Sequence, residues 1–351
     1  MRYSTLTHFF MKKLKSLLLS LAFLLACKPA EQIRPLRTNV AFIVSGGSRT
    51  VEVIDLSSLD VIDSYDVTAK TDRFPHHIYI SADKSKLAIA NPGFDFSKGH
   101  NALHGGQFDG GVVVLDAQTG KKLKEFEVPF ANHNALFSPD DSEIWTAGLN
   151  HDGIVYVYDA YNYNLLARAQ VDADPSEVIF TENEKYAVVR SGESTFLSFI
   201  NIETKERDKA VKIDLSSGNV WPGYDDVVLV SNGARKSVNF VNVTTFSVVD
   251  FIDFDFNPGN LIFNTLLDEL WVCASMQNQV KVFKKIDNLW TEIKSFDFPE
   301  ANPHMIKFFQ NGEMAILVNQ FQNTAVFLDT KTKEIIKTIE VGQKPNGIAI
   351  Y

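Results

Sequence analysis

An all-β chain folded as a seven-bladed β-propeller is expected from three features of this sequence. A short β-rich stretch recurs seven times, roughly every 42 residues. A second short segment, which begins another strand, recurs at similar spacing, and long helical patterns are missing. One copy of a strand-only repeat of this length cannot bury its own apolar face, so such copies assemble into propellers or solenoids. With 351 residues, 45% of them hydrophobic, the chain can build a large core.

The recurring stretch predicts the third strand, C, of each blade. It alternates β-formers with other residues and ends in Asp or Asn in six of its seven copies, Val51–Asp55, Val112–Asp116, Val155–Asp159, Leu197–Asn201, Val238–Asn242, Val280–Lys284 and Ala325–Asp329.

The second recurring feature is the A-start segment, four residues that begin the innermost strand, A, of each blade. Successive copies begin 57, 43, 42, 41, 45 and 42 residues apart. The larger first spacing indicates an insertion in blade 1, between Gly93 and Gly111. The copies are Pro75–Ile78, Asn132–Ala135, Pro175–Val178, Ser217–Val220, Pro258–Leu261, Pro303–Ile306 and Pro345–Ile348.

Blade 1 illustrates the expected order of four strands joined by tight turns. Gly, Asn and Asp supply the positive φ values that such turns need. Its predicted strands A to D are His77–Ser81, Lys86–Ala90, Val112–Asp116 and Lys122–Val128.

The two ends of the chain complement each other. Strands B, C and D precede Pro75 without an A strand, and the single strand Gly347–Tyr351 follows Pro345. The C-terminal strand is therefore predicted to complete the N-terminal blade and close the ring, which removes the exposed edges of an open array. The predicted propeller domain spans residues 38–351.

The N-terminus predicts a lipoprotein signal peptide over residues 1–26. Three lysines follow Met11, an apolar run covers Leu17 to Ala26, and Cys27 comes next. Leu24-Leu-Ala-Cys27 resembles the bacterial lipobox, which implies lipidation of Cys27, a tether over residues 27–37, and a membrane-anchored protein of the bacterial cell envelope, periplasmic or surface-facing. An ordinary signal peptide or an uncleaved anchor is the alternative.

Charge argues against a nucleic-acid partner. Removal of residues 1–26 would delete four basic residues, leaving 30 Lys+Arg against 43 Asp+Glu and a net charge of −13. Phosphate binding needs concentrated positive charge. Cys273 lies in an apolar run and is expected to be a buried thiol.

The repeats resemble the YVTN-type β-propeller family, which includes surface-layer-like proteins and the propellers of nitrous oxide reductase and cytochrome cd1. The similarity rests on Pro-x-x-Ile with Ser81-Ala-Asp or Ser138-Pro-Asp-Asp, and on strands ending in Asp116, Asp159 or Asp329. It covers nearly all of residues 38–351 and implies fold more than function, because propellers serve many roles.

The repeat places the histidines after Cys27 on one face of the propeller, called the top, where the D–A and B–C connections lie. His76, His133 and His304 share the second position of their A-start segments, with His77 beside His76. His100 and His104 lie in the blade 1 insertion, and His151 lies in the B–C loop of blade 2.

Imidazoles from a rigid ring can converge on one ion, and a donor set without carboxylates favours copper or zinc over calcium or magnesium. His76, His133 and His304 form the leading predicted ligand set, with His77, His100, His104 and His151 as additional candidates. Histidines that only bind water and loop backbones at the channel mouth are the alternative.

The family resemblance suggests a copper cluster or a haem, but this sequence lacks the motifs that would bind either one. Four A-start segments lack histidine, the cysteine-rich copper motif is missing, and the chain has no Cys-x-x-Cys-His for a c-type haem. The expected function is ligand binding on the top face through a copper or zinc site, with redox chemistry as one use. A noncatalytic propeller that binds an envelope protein or glycan, and a metal-dependent lyase or hydrolase, are the alternatives.

Overall fold

The structure, a computed structural model, describes residues 37–99, 103, 107–214 and 218–351. Thr38–Tyr351 form one compact unit. The predicted signal peptide and Cys27 lie outside the described residues, as do His100 and His104. Among the helices of the described ranges, none is long and apolar enough to cross a membrane.

Seven four-stranded antiparallel sheets form the blades, which confirms the predicted seven-bladed propeller. Blade 1 contains β4–β7, and blades 2 to 6 follow in groups of four up to β27. The strands are β1 (Val40–Ser45), β2 (Thr50–Asp55), β3 (Asp60–Asp66), β4 (His76–Ile80), β5 (Lys86–Ala90), β6 (Gly110–Asp116), β7 (Lys122–Val128), β8 (Leu136–Phe137), β9 (Glu143–Gly148), β10 (Ile154–Asp159), β11 (Leu165–Gln170), β12 (Pro175–Phe180), β13 (Tyr186–Ser191), β14 (Phe196–Asn201), β15 (Arg207–Lys212), β16 (Val220–Pro222), β17 (Val227–Asn232), β18 (Ser237–Asn242), β19 (Ser247–Asp253), β20 (Leu261–Asn264), β21 (Glu269–Ala274), β22 (Gln279–Ile286), β23 (Leu289–Asp297), β24 (Pro303–Phe309), β25 (Met314–Asn319), β26 (Thr324–Asp329), β27 (Glu334–Glu340) and β28 (Pro345–Ile350). Short 3-10 turns cover Phe96–Lys98, Ser275–Gln277 and Gln310–Gly312.

The last strand closes the ring as predicted. β28 pairs antiparallel with β1, from Ala41 opposite Ile350 to Ser45 opposite Pro345, and gives the composite blade the order β28-β1-β2-β3. Sequence-distant ends of the chain therefore share one hydrogen-bonded ladder, and β28 covers the inner edge that β1 would otherwise leave open.

Burial follows the layering of the blades. Middle strands such as β17 and β21 are buried along their whole length, whereas outer strands such as β15 are mostly exposed. Middle strands pack against neighbouring blades on both faces, which is why they form continuous apolar runs. Cys273 of β21 is fully buried, and burial raises the pKa of its thiol.

The Asp or Asn that ends most C strands fixes the following turn. Asp329 Oδ1 accepts the backbone N–H groups of Lys331 at 2.9 Å and Thr332 at 2.7 Å, and Asp55 and Asp159 do the same two and three residues downstream. Blade 5 ends this strand in lysine, and its C–D hairpin is longer, with β22 and β23 of 8 and 9 residues. The repeated Asp is thus an Asx turn.

Two pairs of adjacent blades are each linked by a lysine that contacts a glutamate and a tryptophan of the preceding blade. Trp271 donates to Glu269 in blade 5, and Lys333 of blade 6 bonds Glu269 Oε2 at 2.7 Å while lying 5.4 Å from the Trp271 ring centre. Lys205 of blade 3 repeats these contacts with Glu143 and Trp145 of blade 2. These mostly buried ion pairs connect neighbouring blades.

Because β28 closes the ring, we expect the stability of the protein to fall when a side chain is added at Gly347. A Cβ there would lie 2.7 Å from His77 Cα and 2.8 Å from a Val44 methyl. Gly347→Ala should lower the free energy of unfolding by about 1–3 kcal/mol, because β28 must shift to relieve the overlap. Chemical denaturation measures this, and Gln343→Ala, at an exposed neighbouring position, is the control. An unchanged midpoint for Gly347→Ala would contradict this account of closure.

Candidate metal centre

Bulges at the start of several A strands deliver side chains to the channel mouth. At the start of these A strands, one residue has no partner in the pairing with strand B. That residue is His77 in blade 1, Ser176 in blade 3, His304 in blade 6 and Asn346 in the composite blade. A bulge re-aims the side chains around it. His77 also has a φ of 43°, an uncommon left-handed conformation for histidine.

Three of the predicted histidines form a compact buried cluster. Ring nitrogens of His76, His77 and His133 all lie within 4.8 Å of one another. His304 is the fourth member, since its ring centre lies 5.7 Å from that of His76 and 6.1 Å from that of His77. We call these four residues the histidine cluster. Of the predicted set of His76, His133 and His304, the first two belong to the compact group, and His77 rather than His304 is its third member.

Hydrogen bonds fix the tautomers of two members. His76 Nδ1 donates to the His133 carbonyl oxygen at 3.1 Å, and His133 Nδ1 donates to Glu177 Oε1. Each ring therefore keeps its proton on Nδ1 and presents Nε2 as the lone-pair atom. Metal-binding histidines usually donate their second N–H to a carboxylate or backbone carbonyl in this manner.

Glu177 is the functional candidate that the sequence reasoning missed. Its side chain is fully buried, and its Oε1 also lies 3.0 Å from His77 Nδ1, although the angle does not suit a hydrogen bond. It stands third in its A-start segment, the position that His77 holds in blade 1. Comparing all polar residues at that position, rather than histidines alone, would have found it.

Burial keeps three imidazoles of the cluster neutral, those of His76, His77 and His304. Burial, with the neighbouring His133, His77 and His304, holds the pKa of His76 well below its usual range. Burial lowers the pKa of His77 to about 3, with Lys307 contributing, and lowers that of His304 to about 3, with His77 contributing. Burial also raises the pKa of Glu177, against the effect of His133. Neutral imidazole is the form that binds a metal.

Three buried atoms of this site have no hydrogen-bond partner in the described structure, His76 Nε2, His77 Nδ1 and Glu177 Oε2. Buried polar atoms are rarely left unpaired, because each one costs about 1–3 kcal/mol. An imidazole nitrogen with a lone pair and a carboxylate oxygen both accept hydrogen bonds, and neither receives one here. A bound cation, or a bound group with N–H or O–H donors, would pair with both atoms. The site therefore has the donor chemistry of a metal centre.

The blade 1 insertion covers the cluster from the top, as its predicted position allows. The ring of Phe96 lies 5.0 Å from that of His76 and 4.9 Å from that of His133. Asp95 Oδ2 accepts a bond of 2.6 Å from Lys344 of the composite blade. Burial raises the pKa of Asp95, but Lys344 and Ser97 outweigh it and the pKa is lowered. This Asp95–Lys344 latch holds Phe96 over the mouth.

The remaining predicted ligand within the described ranges lies away from the cluster. His151 is exposed, and its Nδ1 bonds Glu193 Oε2 at 3.0 Å. It lines a separate pocket of about 340 Å³ beside the insertion, together with Asp152 and Asp174. His151 shares the top face with the cluster, but it lies at a greater distance from the axis, because a B–C loop begins farther out than an A strand.

The latch predicts a local effect of Lys344→Met. Because methionine cannot pair with Asp95, amides of residues 94–99 should exchange with solvent at least about fivefold faster, while global stability changes by less than about 1 kcal/mol. Hydrogen–deuterium exchange by mass spectrometry measures this. Lys331→Met, which removes the exposed pair of Lys331 with Glu313, is the control. Equal exchange in both variants would show that the latch does not hold the insertion.

Comparisons with known proteins reach the fold level. A scan of protein-family models and a search of curated proteins gave no match. Among solved structures, the chain is similar to dihydro-heme d1 dehydrogenase NirN in complex with DHE, with a TM-score of 0.64, 15% identity, and coverage of 92% of this chain and 78% of that one. It is also similar to a periplasmic gluconolactonase, PpgL, of Pseudomonas aeruginosa (TM-score 0.69, 12% identity, coverage 89% and 98%) and to a putative 6-phosphogluconolactonase of Bacteroides fragilis (TM-score 0.67, 14% identity, coverage 92% and 100%). At these identities the likeness shows the fold alone, and the chain is a seven-bladed propeller of the same kind.

Proposed function

We propose that the protein binds a zinc or copper ion at the channel mouth through His76, His77 and His133. The observation that carries the proposal is a buried trio of imidazole nitrogens within 4.8 Å, of which His76 Nε2 has no hydrogen-bond partner. Three nitrogens bound to one zinc ion at about 2.0–2.1 Å would lie roughly 3.3 Å apart. Binding therefore requires the three rings to approach one another from separations of up to 4.8 Å.

The donor set favours these two metals. Imidazole suits zinc and copper, whereas calcium and magnesium prefer oxygen ligands. His304, as the neighbouring fourth imidazole, is available to complete a nitrogen set or to contact a metal-bound molecule. Glu177 and the His133 carbonyl oxygen orient the ligand rings through their Nδ1 protons, and this raises the basicity of the rings.

A metal-dependent hydrolase or lyase is the second candidate, and one observation favours it. Glu177 is buried beside the trio, one of its oxygens is free of hydrogen bonds, and burial raises its pKa. A carboxylate with those properties next to a Lewis-acidic ion is placed to accept a proton from water or substrate. The similar structures that carry lactonase names have the same propeller fold.

We place the protein in the bacterial cell envelope, held to a membrane by a lipid on Cys27. The basis is the lipobox-like Leu24-Leu-Ala-Cys27 after a basic start and an apolar run. If no metal binds, the alternative function is that of a noncatalytic propeller that binds an envelope protein or glycan.

The metal proposal predicts about one zinc or copper ion per chain in protein purified without a His-tag and loaded with metal. His76→Gln and His133→Gln should each weaken binding by more than about 100-fold, because a direct ligand matters more than its supports. Elemental analysis and calorimetric titration measure this, and visible absorption separates copper from zinc. His151→Gln, outside the cluster, should bind as wild type does. Folded wild-type protein that cannot be loaded would refute the proposal.

The support from Glu177 is tested separately. Glu177→Gln keeps the shape of the side chain and removes its charge, so zinc affinity should fall by about 10–100-fold, as for other residues that orient metal ligands. The same titration measures it, with circular dichroism to verify the fold. Glu193→Gln, which alters the exposed pair with His151, provides the matched control. Unchanged affinity in Glu177→Gln would remove Glu177 from the site.

A further inference from the structure

A second feature of the channel lies below the histidine cluster. A cavity of about 270 Å³ is lined by the innermost strands β16, β20 and β24 of blades 4 to 6 and by Gly223, Thr265 and Gly312 of their A–B turns. Strand A runs from the top face to these turns, so the cavity lies on the side of the channel away from the Phe96 cover. Its volume is under the usual range of about 300–1,000 Å³ for ligand pockets, which suits a small molecule.

Lys307 is the only charged side chain among the described residues that line this cavity. In the described structure no hydrogen bond or ion pair within 4 Å engages its Nζ atom. Burial lowers the pKa of the Lys307 ammonium group, and the carboxyl of Glu177 opposes that effect; Lys307 in turn contributes to the lowered pKa of His77. A partly buried ammonium group without a direct counter-ion is a binding site for an anion.

Two further donors line the same cavity. Trp221 is 5% exposed, and its Nε1 has no hydrogen-bond partner in the described structure. Asn260, also 5% exposed, accepts from the Ile306 N–H through Oδ1, which leaves its Nδ2 to donate. Indole nitrogen, amide nitrogen and ammonium are all donors, and they come from β16, from the residue before β20 and from β24.

The cavity adjoins the histidine cluster. The Trp221 ring centre lies 6.0 Å from that of His77, and Lys307 acts electrostatically on both His77 and Glu177. A molecule held between Trp221 and Lys307 therefore lies next to the proposed metal ligands, and it can reach them from the face of the A–B turns without displacing Phe96.

We propose that this cavity binds a small carboxylate through Lys307, Trp221 and Asn260, and presents it to the histidine cluster from below. The role of that molecule as the substrate or co-ligand of the metal rests on the proposed function. Its binding does not, because none of the three donors belongs to the metal site. Carboxylate fits better than a neutral ligand, since the cavity offers one cation and two N–H donors and no anionic side chain among the residues described.

The test is a titration of the metal-free full chain with acetate, followed by saturation-transfer NMR and tryptophan fluorescence. Wild-type protein should bind acetate saturably. Lys307→Met should weaken binding at least tenfold, and Trp221→Phe, which keeps the aromatic volume, should weaken it severalfold and abolish the fluorescence response. Lys121→Met, which removes an exposed lysine of a C–D turn, should bind as wild type does.

The outcomes separate this proposal from the metal proposal. Lys307→Met should bind zinc at least as tightly as wild type, because it removes a positive charge beside His77. Wild-type protein that does not bind acetate, or a folded Lys307→Met that binds it unchanged, overturns the carboxylate site whatever the zinc titration shows. Acetate binding in a protein that binds no zinc would support the carboxylate site and refute only the metal proposal.

Discussion

Pairing of β28 with β1 is the constraint on which the whole molecule depends. It turns a linear series of strand repeats into a ring, and only in a ring do the seven A-start segments meet at one mouth. Blade 6 and blade 1 are neighbours of the composite blade, so His304 reaches His76 and His77 across more than 200 residues of sequence because the ring closes. Weakening of this ladder would therefore disperse the histidine cluster as well as loosen the fold.

The histidine cluster brings several buried polar groups together at the mouth of the central channel. Buried rings of His76 and His133 and the buried carboxylate of Glu177 are expensive to desolvate, and hydrogen bonds between them offset only part of that cost. His77 adds a left-handed backbone. These features oppose stability and lie together beneath the blade 1 insertion, which is the arrangement that the proposed metal site requires.

The repeat made most of the fold predictable. Strands β5 and β7 have the predicted bounds, and the closing strand pairs as expected, because alternation and turn residues act locally. The same repeat placed the histidines on one face. It could not give their distance from the axis or their burial: His151 is exposed, whereas His77 is buried. Nor could it show that the skipped residue of the ladder is the third of the segment in blade 1 and the second in blade 3. The position of Glu177 follows from the repeat once all polar residues of the A-start segments are compared. Its bond to His133 and the Phe96 cover depend on contacts between blades, which the sequence pattern does not encode.

The central claim is that one metal ion binds among His76, His77 and His133. The most direct test is a crystal of the zinc- or copper-loaded protein with data collected on both sides of the metal absorption edge. The account predicts one strong anomalous peak within about 2.0–2.3 Å of ring nitrogens from these three histidines. A loaded crystal whose anomalous peaks all lie elsewhere, for example at His151, would contradict it.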